Sequence, residues 1–164
     1  MTLPEQERER FCQVLHHSRT SLYRLAFSIT RNSSDAQEAV AEAVCRAYER
    51  YPQLREKEKL PRWLLKITAN EARRLCQRRG RTVSWDDLPT EPAIPGRETG
   101  DDTLWQAVQT LPQDQREAVV LFYYEDLPTE EIARIVGTSP GAVRVRLSRA
   151  REKLRSILKE GDYG

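Results

Sequence analysis

Arginine side chains are concentrated near the C-terminal end of the chain, where they could bind the phosphate groups and base edges of a nucleic acid. Residues 139–159 contain seven basic residues and one glutamate, a net charge of +6. Guanidinium groups form bidentate hydrogen bonds with phosphate and with guanine, so this segment predicts a DNA-binding surface. A basic face that is only solvated is the alternative interpretation. The residues assigned to DNA binding are Ser139, Val143, Arg144, Arg146, Arg149 and Arg151.

A helix-turn-helix motif is predicted to position these arginines. Its first helix, Glu130–Val136, should end at Gly137, because glycine tolerates the positive φ of a helix C-cap. After a short turn, Ser139 is predicted to cap a second helix, Ser139–Leu158. The first turns of such a second helix enter the major groove of DNA. An apolar stripe at helical spacing should pack inward: Val143, Leu147, Ala150, Leu154 and Ile157.

A second basic block lies in the middle of the chain. Residues 62–81 also contain seven basic residues and one glutamate, although the whole chain has a net charge of only +2. The two basic blocks therefore leave the rest of the chain with a net charge of −10. Two basic blocks in an otherwise acidic chain predict two separate contacts with one polyanion.

The central basic block is predicted to be one face of a helix that starts at Pro61. Arg62, Lys66, Asn70, Arg73 and Gln77 recur at helical steps and should form an outward basic and amide stripe. The opposite face is apolar: Leu64, Ile67, Thr68, Ala72 and Leu75. Beside the stripe stands Trp63, which is either a buried anchor or an aromatic ring that stacks on bases.

The residues before this helix predict an N-terminal bundle of three or four helices. Ser34 and Gln37 have the spacing of a capping box, with Asp35 at the first helical position. This helix should run to about Tyr51 and bury Ala36, Val40, Ala43, Val44, Ala47 and Tyr51. Its outer surface should be polar: Asp35, Gln37, Glu38, Glu42, Arg46 and Glu49. The spacing alone does not make this surface an interface, because polar helix surfaces are most often only exposed to solvent.

Between the two basic regions lies a segment rich in proline, glycine and acidic residues. Residues 81–102 show no sustained periodicity, which predicts a flexible acidic linker. Its acidity either keeps the tether soluble or lets it lie in a positively charged channel of a partner. The predicted fold is all-α, with an N-terminal helix bundle at residues 1–80 and a C-terminal helix-turn-helix domain at residues 103–164.

Composition argues against several other classes of protein. No stretch has the ~20 apolar residues of a membrane span or the core of a signal peptide, so a cytoplasmic location without membrane insertion is expected. The three cysteines are widely spaced, which predicts reduced thiols that fill the core. Cys12 and His16 have i, i+4 spacing, but no second pair completes four ligands, so no metal is expected. No cofactor is expected and an enzyme is disfavoured, because there is no Gly-rich phosphate cradle and the only histidines are His16 and His17.

Three segments of the chain, in order, resemble bacterial sigma factors. Residues 34–48 resemble the helix of that family that binds core RNA polymerase, and residues 61–70 resemble its promoter-recognition helix. Residues 111–121 and 130–151 resemble its C-terminal domain. Together they cover most of the chain outside the linker. The short length, with two domains and one tether, resembles the extracytoplasmic-function (ECF) group of the sigma-70 family.

The resemblance implies a role for each surface. It implies that four residues dock on the coiled coil of the largest polymerase subunit: Asp35, Glu38, Glu42 and Arg46. It implies that six residues act at the minus-ten element: Arg62, Trp63, Lys66, Asn70, Arg73 and Arg74. The loop Gln53–Leu60 is the candidate pocket for bases that leave the stack. In the C-terminal helix, Arg144 and Arg146 are the best candidates for base contacts at the minus-thirty-five element, and Arg149 and Arg151 for backbone contacts.

Partners follow from the same resemblance: core RNA polymerase, promoter DNA and an anti-sigma factor. The implied function is to direct core polymerase to promoters and to assist promoter melting. This sequence departs from the family pattern at Gln37, Ala41 and Pro140, and Pro140 bears on base preference. Two alternatives are a stand-alone helix-turn-helix regulator, which binds its site without polymerase, and a protein that only sequesters polymerase.

Overall fold

Helices form the secondary structure on both sides of the predicted linker. The computed structural model describes residues 3–78 and 102–162, and these residues contain no strand. The chain divides into two compact units, residues 1–95 and 96–164. The prediction of an all-α protein with two helical units is therefore confirmed. The linker, almost all of which lies outside the described residues, stays a prediction.

Three long helices pack against one another in the N-terminal unit. They are α1, Glu5–Thr30; α2, Ser33–Arg50; and α3, Leu60–Arg78. Side chains from all three helices form one core, in which Leu22, Ala43 and Leu64 are fully buried. The bundle thus holds α2 and α3 side by side, with one face of each covered and the other open to solvent.

The junction between α1 and α2 is a two-residue turn. Arg31 ends α1 in the left-handed region with φ 54°, and its N–H donates to Phe27 O over 2.7 Å. Asn32 caps α2, because its Oδ1 accepts a hydrogen bond from the backbone N–H of Asp35 over 2.9 Å. The predicted capping box at Ser34 is therefore wrong, since α2 begins earlier. Burial lowers the pKa of the Arg31 guanidinium from its usual value.

The loop between α2 and α3 is ordered by short helical turns, Tyr51–Gln53 and Lys57–Lys59. The Lys57 ammonium donates to the carbonyl of Tyr51 and lies 4.2 Å from the centroid of its ring. Tyr51 is fully buried and packs edge-on against Phe11 of α1. The loop that was predicted to hold bases is thus attached to the core of the bundle through the contacts of Lys57 with Tyr51.

In the C-terminal unit, four helices and one π-helical turn enclose a second core. The helices are α4, Asp102–Gln109; α5, Gln113–Val119; α6, Thr129–Val136; and α7, Pro140–Asp162. The π-helical turn, Val120–Tyr124, continues α5. Trp105 is buried at the centre of this unit and meets the ring of Tyr124 edge-on at 5.4 Å. The buried guanidinium of Arg116 donates to Leu111 O over 2.6 Å and so fixes the turn between α4 and α5.

The predicted helix-turn-helix is confirmed in α6 and α7. Gly137 ends α6 with φ 78°, a conformation that disfavours side chains with a Cβ. Ser139 caps α7, since its Oγ accepts from the N–H of Ala142 over 3.1 Å. Val143 and Leu147 are buried as predicted, but Ile157 is 36% exposed, so its placement in the core was wrong.

The cysteines also differ from the prediction that they fill the core. Cys12 and Cys45 are exposed, on α1 and α2, and Cys76 on α3 is half-buried. All three thiols are free, which agrees with the expectation of reduced cysteines. Cys12 and Cys45 therefore contribute little to the packing of the bundle.

Candidate nucleic-acid interface

The outward stripe of α3 is present as predicted. Arg62, Lys66 and Asn70 are exposed at successive i, i+4 positions, while Leu64 and Ile67 are buried on the other face. The period of the helix therefore separates an apolar side from a basic and amide side. Such a stripe can donate hydrogen bonds to phosphates and to base edges along one side of a nucleic acid.

Trp63 lies half-buried at the border of this stripe. Its neighbours in sequence are the exposed Arg62 and the buried Leu64. The indole is therefore neither fully enclosed, as an anchor would be, nor fully presented to solvent. The two sequence-based alternatives for Trp63, packing and base stacking, both remain predictions.

Towards the end of α3, arginines have partners within the protein. The Arg74 guanidinium lies 3.2 Å from Glu71 Oε2, and Arg78 lies 3.8 Å from Glu38. Arg73 is half-buried. Of the two arginines that sequence reasoning assigned to phosphate, Arg73 and Arg74, Arg74 therefore already has a charged partner within the protein.

Glu71 joins α2 to α3. Its side chain is 7% exposed, and the same oxygen that faces Arg74 lies 2.8 Å from Arg46 Nε. Arg46 also lies 3.6 Å from Glu42, one turn earlier on α2. These groups line a cleft of about 140 Å³ between the two helices. Arg46, predicted to face outward for polymerase binding, is instead largely committed to this cluster.

The acidic face of α2 is present in part. Glu38 and Glu42 are exposed, as predicted, and alternate with the buried alanines Ala39 and Ala43. Asp35, however, is only 3% exposed, so its placement on the outer surface was wrong. Asp35 lies one helical turn before the buried Ala39, on the face of α2 that packs against the bundle, and the predicted inward stripe did not include Ala39.

On α7, three of the six predicted DNA-binding residues are exposed arginines: Arg144, Arg149 and Arg151. Val143 is fully buried, as the apolar stripe predicted, so it cannot make the DNA contact that was also assigned to it. The side chain of Arg146 is 28% exposed, and its Nε lies 3.7 Å from Asp114 at the start of α5. Ser139 is exposed, but its hydroxyl oxygen already caps the helix. The solvent-exposed basic surface of α7 therefore centres on Arg144 and Arg149 rather than on Arg146.

Comparisons with known proteins agree with this arrangement. The family model of sigma-70 region 2 matches residues 14–82, and that of sigma-70 region 4 matches residues 101–154. The chain is 32% identical over 142 residues to the RNA polymerase sigma factor SigV of Bacillus subtilis, covering 85% of this chain and 86% of SigV. It is also 32% identical to the ECF sigma factor EcfG of Rhodopseudomonas palustris, with 84% and 79% covered.

A solved structure shows the same fold. The sigma factor RpoE of Bartonella quintana, crystallised with the anti-sigma factor NepR, superposes with a TM-score of 0.75. The two chains are 25% identical, and the match covers 95% of this chain and 98% of RpoE. The chain belongs to the sigma-70 family, in its ECF group. This sigma factor directs core RNA polymerase to promoters at transcription initiation, so the sequence-based prediction is confirmed and a stand-alone regulator is not favoured.

Two aromatic residues hold one arginine of the sigma factor, and the sequence analysis missed both of them. Arg151 Nε donates to the hydroxyl of Tyr123 over 2.6 Å. The guanidinium carbon of Arg151 lies 5.8 Å from the ring centroids of both Phe122 and Tyr123. Both rings come from the π-helical turn after α5, and nothing in the local pattern identifies such a turn. The hydrogen bond to Tyr123 uses only Nε of the Arg151 guanidinium.

Val145 is the other residue of the sigma factor that sequence reasoning passed over. It is one of the few large hydrophobic side chains that are exposed, at 48%. Its neighbours Arg144 and Arg146 drew attention because of their charge. The helical period would have identified it, because Val145 lies opposite the stripe of Val143 and Leu147.

Residues 3–78 and 102–162 of the sigma factor contain neither a metal-ligand cluster nor a membrane-spanning helix. No group of three metal-ligating side chains lies together in this part of the chain. None of the described helices is both long enough and apolar enough to span a membrane.

Proposed function

We propose that the two units of this sigma factor grip a promoter at two places. The C-terminal unit binds the minus-thirty-five element through α7, and the N-terminal unit binds the minus-ten element through α3. The observation that supports this most strongly is that both α3 and α7 expose arginines or lysines along one face and bury an apolar face. Two such helices, one in each unit, can bind two sites on one DNA, whereas a single recognition helix binds one.

At the minus-thirty-five element, α7 lies in the major groove of duplex DNA. The caps at Gly137 and Ser139 hold its N-terminal turns in a fixed orientation to α6, which crosses the DNA backbone in motifs of this kind. Arg144 and Arg149 provide contacts to bases or phosphates. Arg151, which Phe122 and Tyr123 hold in place, contacts phosphate. A bidentate contact between arginine and guanine contributes roughly 1–3 kcal/mol of discrimination.

At the minus-ten element, the α3 stripe contacts the edge of the DNA. Arg62, Lys66 and Asn70 form hydrogen bonds with phosphates or bases, and the half-buried Trp63 beside them is the aromatic ring on which a base could stack. Bases leave the stack when the strands separate, at a cost of a few kcal/mol, which a protein pocket offsets. The ordered loop Gln53–Leu60, attached to the core through Tyr51, is the proposed site for such a base.

Core polymerase binds the exposed carboxylates of α2 in this proposal. Glu38 and Glu42 project from one side of the helix and are complementary to a basic partner surface. A cleft of about 300 Å³ between α1 and α2 opens beside them, and Val40 and Ala41 give it an apolar wall. An apolar cleft with charged side chains at its rim is typical of a protein interface.

The polymerase supplies the chemistry of initiation, and this chain acts by binding. We extend to this chain the kind of partner seen with RpoE, an anti-sigma factor that covers the polymerase-binding or DNA-binding surfaces. NepR with RpoE supports that extension, since the two sigma factors share a fold over 95% of this chain.

Run-off transcription tests the proposed function. Reactions contain a promoter template selected by the reconstituted holoenzyme, core polymerase, and either the wild-type chain or a variant. The proposal expects a specific transcript only when chain and core are both present, and loss of that transcript in both Lys66→Glu and Arg149→Glu. A transcript of normal strength from either variant would remove the corresponding surface from the proposal.

A further inference from the structure

One of the exposed residues in the first turns of α7 is apolar. Val145 is 48% exposed, while Val143, Leu147 and Ala150 are at most 2% exposed and pack against the unit. Successive residues of an α-helix are rotated by about 100°, so Val145 lies nearly opposite the middle of the buried stripe. A helix placed in a groove by this face presents Val145 to the floor of the groove.

Small residues surround Val145 on the same face. Gly141 lies one turn before it, and Ser148 lies one turn after it. A Cβ added at Gly141 would meet only ordinary van der Waals contacts at 3.9 and 4.0 Å, so no packing demand explains a glycine there. The row Gly141, Val145 and Ser148 therefore forms a low ridge on which the valine is the tallest side chain. Such a ridge allows the helix backbone to approach base pairs closely.

Basic side chains flank this ridge. Arg144 and Arg149 are exposed on its two sides. A single exposed valine on a protein surface usually requires no explanation. Here, however, it occupies the middle of a basic face, where a polar or basic side chain would be better solvated.

Only one group on the floor of the major groove is apolar. Each A·T pair presents the C5-methyl group of thymine, whereas the other groups on the base edges are hydrogen-bond donors and acceptors. Valine is well adapted to contact a methyl group, because its branched Cβ leaves little rotamer freedom to lose on binding.

We propose that Val145 packs against the 5-methyl group of a thymine in the minus-thirty-five element and so sets the preference for one base pair. The proposal rests on the proposed function, in which α7 lies in the major groove of that element. It adds a residue that selects a base through apolar contact to a surface otherwise made of arginines.

Deoxyuridine tests this contact directly, because it lacks only the methyl group of thymine. The probe is a duplex that contains a minus-thirty-five element selected from a random library by the holoenzyme of core polymerase and the full chain. Each thymine of either strand is replaced in turn by deoxyuridine, and holoenzyme affinity is measured by competition. We expect one position at which the replacement weakens binding about fourfold, the effect of losing one buried methyl group.

Variants at Val145 connect that position to the side chain. Val145→Ala should bind thymine and deoxyuridine equally well at the sensitive position and should keep the thermal stability of the wild type, since the valine is exposed. Val145→Thr keeps one methyl group and should keep part of the preference. Ile157→Ala is the matched control, because Ile157 is also an exposed apolar residue of α7 but lies three turns further along.

The possible results separate this proposal from the function on which it rests. The contact is overturned if the selected element contains no thymine, if no deoxyuridine substitution weakens binding, or if Val145→Ala keeps the wild-type sensitivity. In each of these cases the holoenzyme can still require the minus-thirty-five element for binding. If replacement of the whole element leaves holoenzyme affinity unchanged, the proposed role of α7 fails as well.

Discussion

Arg46 on α2 and Glu71 on α3 are joined by an ion pair in which Nε lies 2.8 Å from Oε2. The Glu71 side chain is 7% exposed, and its Oε2 also faces Arg74 at 3.2 Å. One carboxylate oxygen therefore lies within ion-pair distance of guanidinium groups from two helices. The pair joins the helix with the proposed polymerase-binding face, α2, to the helix with the proposed DNA-binding face, α3.

Glu71→Gln should destabilise the N-terminal unit by about 2 kcal/mol, because it removes charge-assisted contacts from two arginines at a largely buried position. Hydrogen exchange of the full chain, followed by mass spectrometry, measures the loss in α2 and α3 separately from α4–α7. Glu42→Gln is the matched control, since Glu42 is an exposed partner of Arg46 at 3.6 Å and should contribute less than about 0.5 kcal/mol. Equal effects of the two substitutions would contradict a special role for Glu71.

Asn32→Ala should destabilise the same unit by about 1 kcal/mol, the usual effect of losing an N-cap side chain. Its Oδ1 accepts a hydrogen bond from Asp35 N, and the side chain of alanine has no acceptor for that bond. Ser34→Ala provides the comparison, because Ser34 is exposed and does not cap α2. Denaturant unfolding of the full chain should rank the variants in this order, and a larger loss at Ser34 would show that α2 starts later in solution.

Glu42→Lys should weaken binding to core polymerase while the bundle stays folded. The side chain is exposed, so the reversal mainly replaces attraction by repulsion at the proposed interface. Pull-down or fluorescence titration with core enzyme measures the change, and circular dichroism verifies the fold. Glu49→Lys makes the same charge change at another exposed position of α2. Core affinity equal to that of the wild type would exclude Glu42 from the interface.

Arg149→Ala should lower the salt dependence of promoter binding by about 0.9 in the slope of log K against log salt concentration, the loss expected for one phosphate contact. Arg146→Ala should change it less, because Arg146 is 28% exposed and lies 3.7 Å from Asp114. Holoenzyme binding at several salt concentrations measures both slopes. Arg8→Ala, an exposed arginine of α1, controls for the change in net charge. A larger effect on the slope at Arg146 than at Arg149 would contradict the assignment of Arg149 to a phosphate contact.

Tyr123→Phe should weaken promoter binding by roughly 0.5 kcal/mol, about twofold, since it removes one exposed hydrogen bond and keeps the ring beside Arg151. The salt dependence should not change, because Arg151 keeps its charge. Arg151→Ala should reduce that dependence as well as the affinity. The expectation fails if Tyr123→Phe binds as tightly as the wild type and Arg151→Ala does not.

Local signals in the sequence predicted the parts of the site that depend on local structure. Gly137 and Ser139 mark the turn of the helix-turn-helix because their roles, a positive φ and a cap, need no distant partner. The outward stripe of Arg62, Lys66 and Asn70 follows from helical period alone.

Tertiary contacts explain the predictions that were wrong or missed. Arg46 faces Glu71 across 25 positions of sequence, and Arg146 faces Asp114 across 32, so no window of a single helix contains both partners. The assignment of Asp35 to the surface failed because the predicted inward stripe of α2 omitted Ala39, the buried residue one helical turn after Asp35. The π-helical turn that brings Phe122 and Tyr123 to Arg151 has no sequence signature comparable to a cap or a glycine.

Each unit has a hydrophobic core of its own, one around Leu22 and Leu64 and the other around Trp105 and Leu147. Substitutions that alter one core should therefore leave the fold of the other almost unaffected. In evolutionary terms, the upstream and downstream halves of promoter preference can change through separate mutations. A chimera that exchanges residues 102–162 with those of a relative is the corresponding engineering route to new target genes.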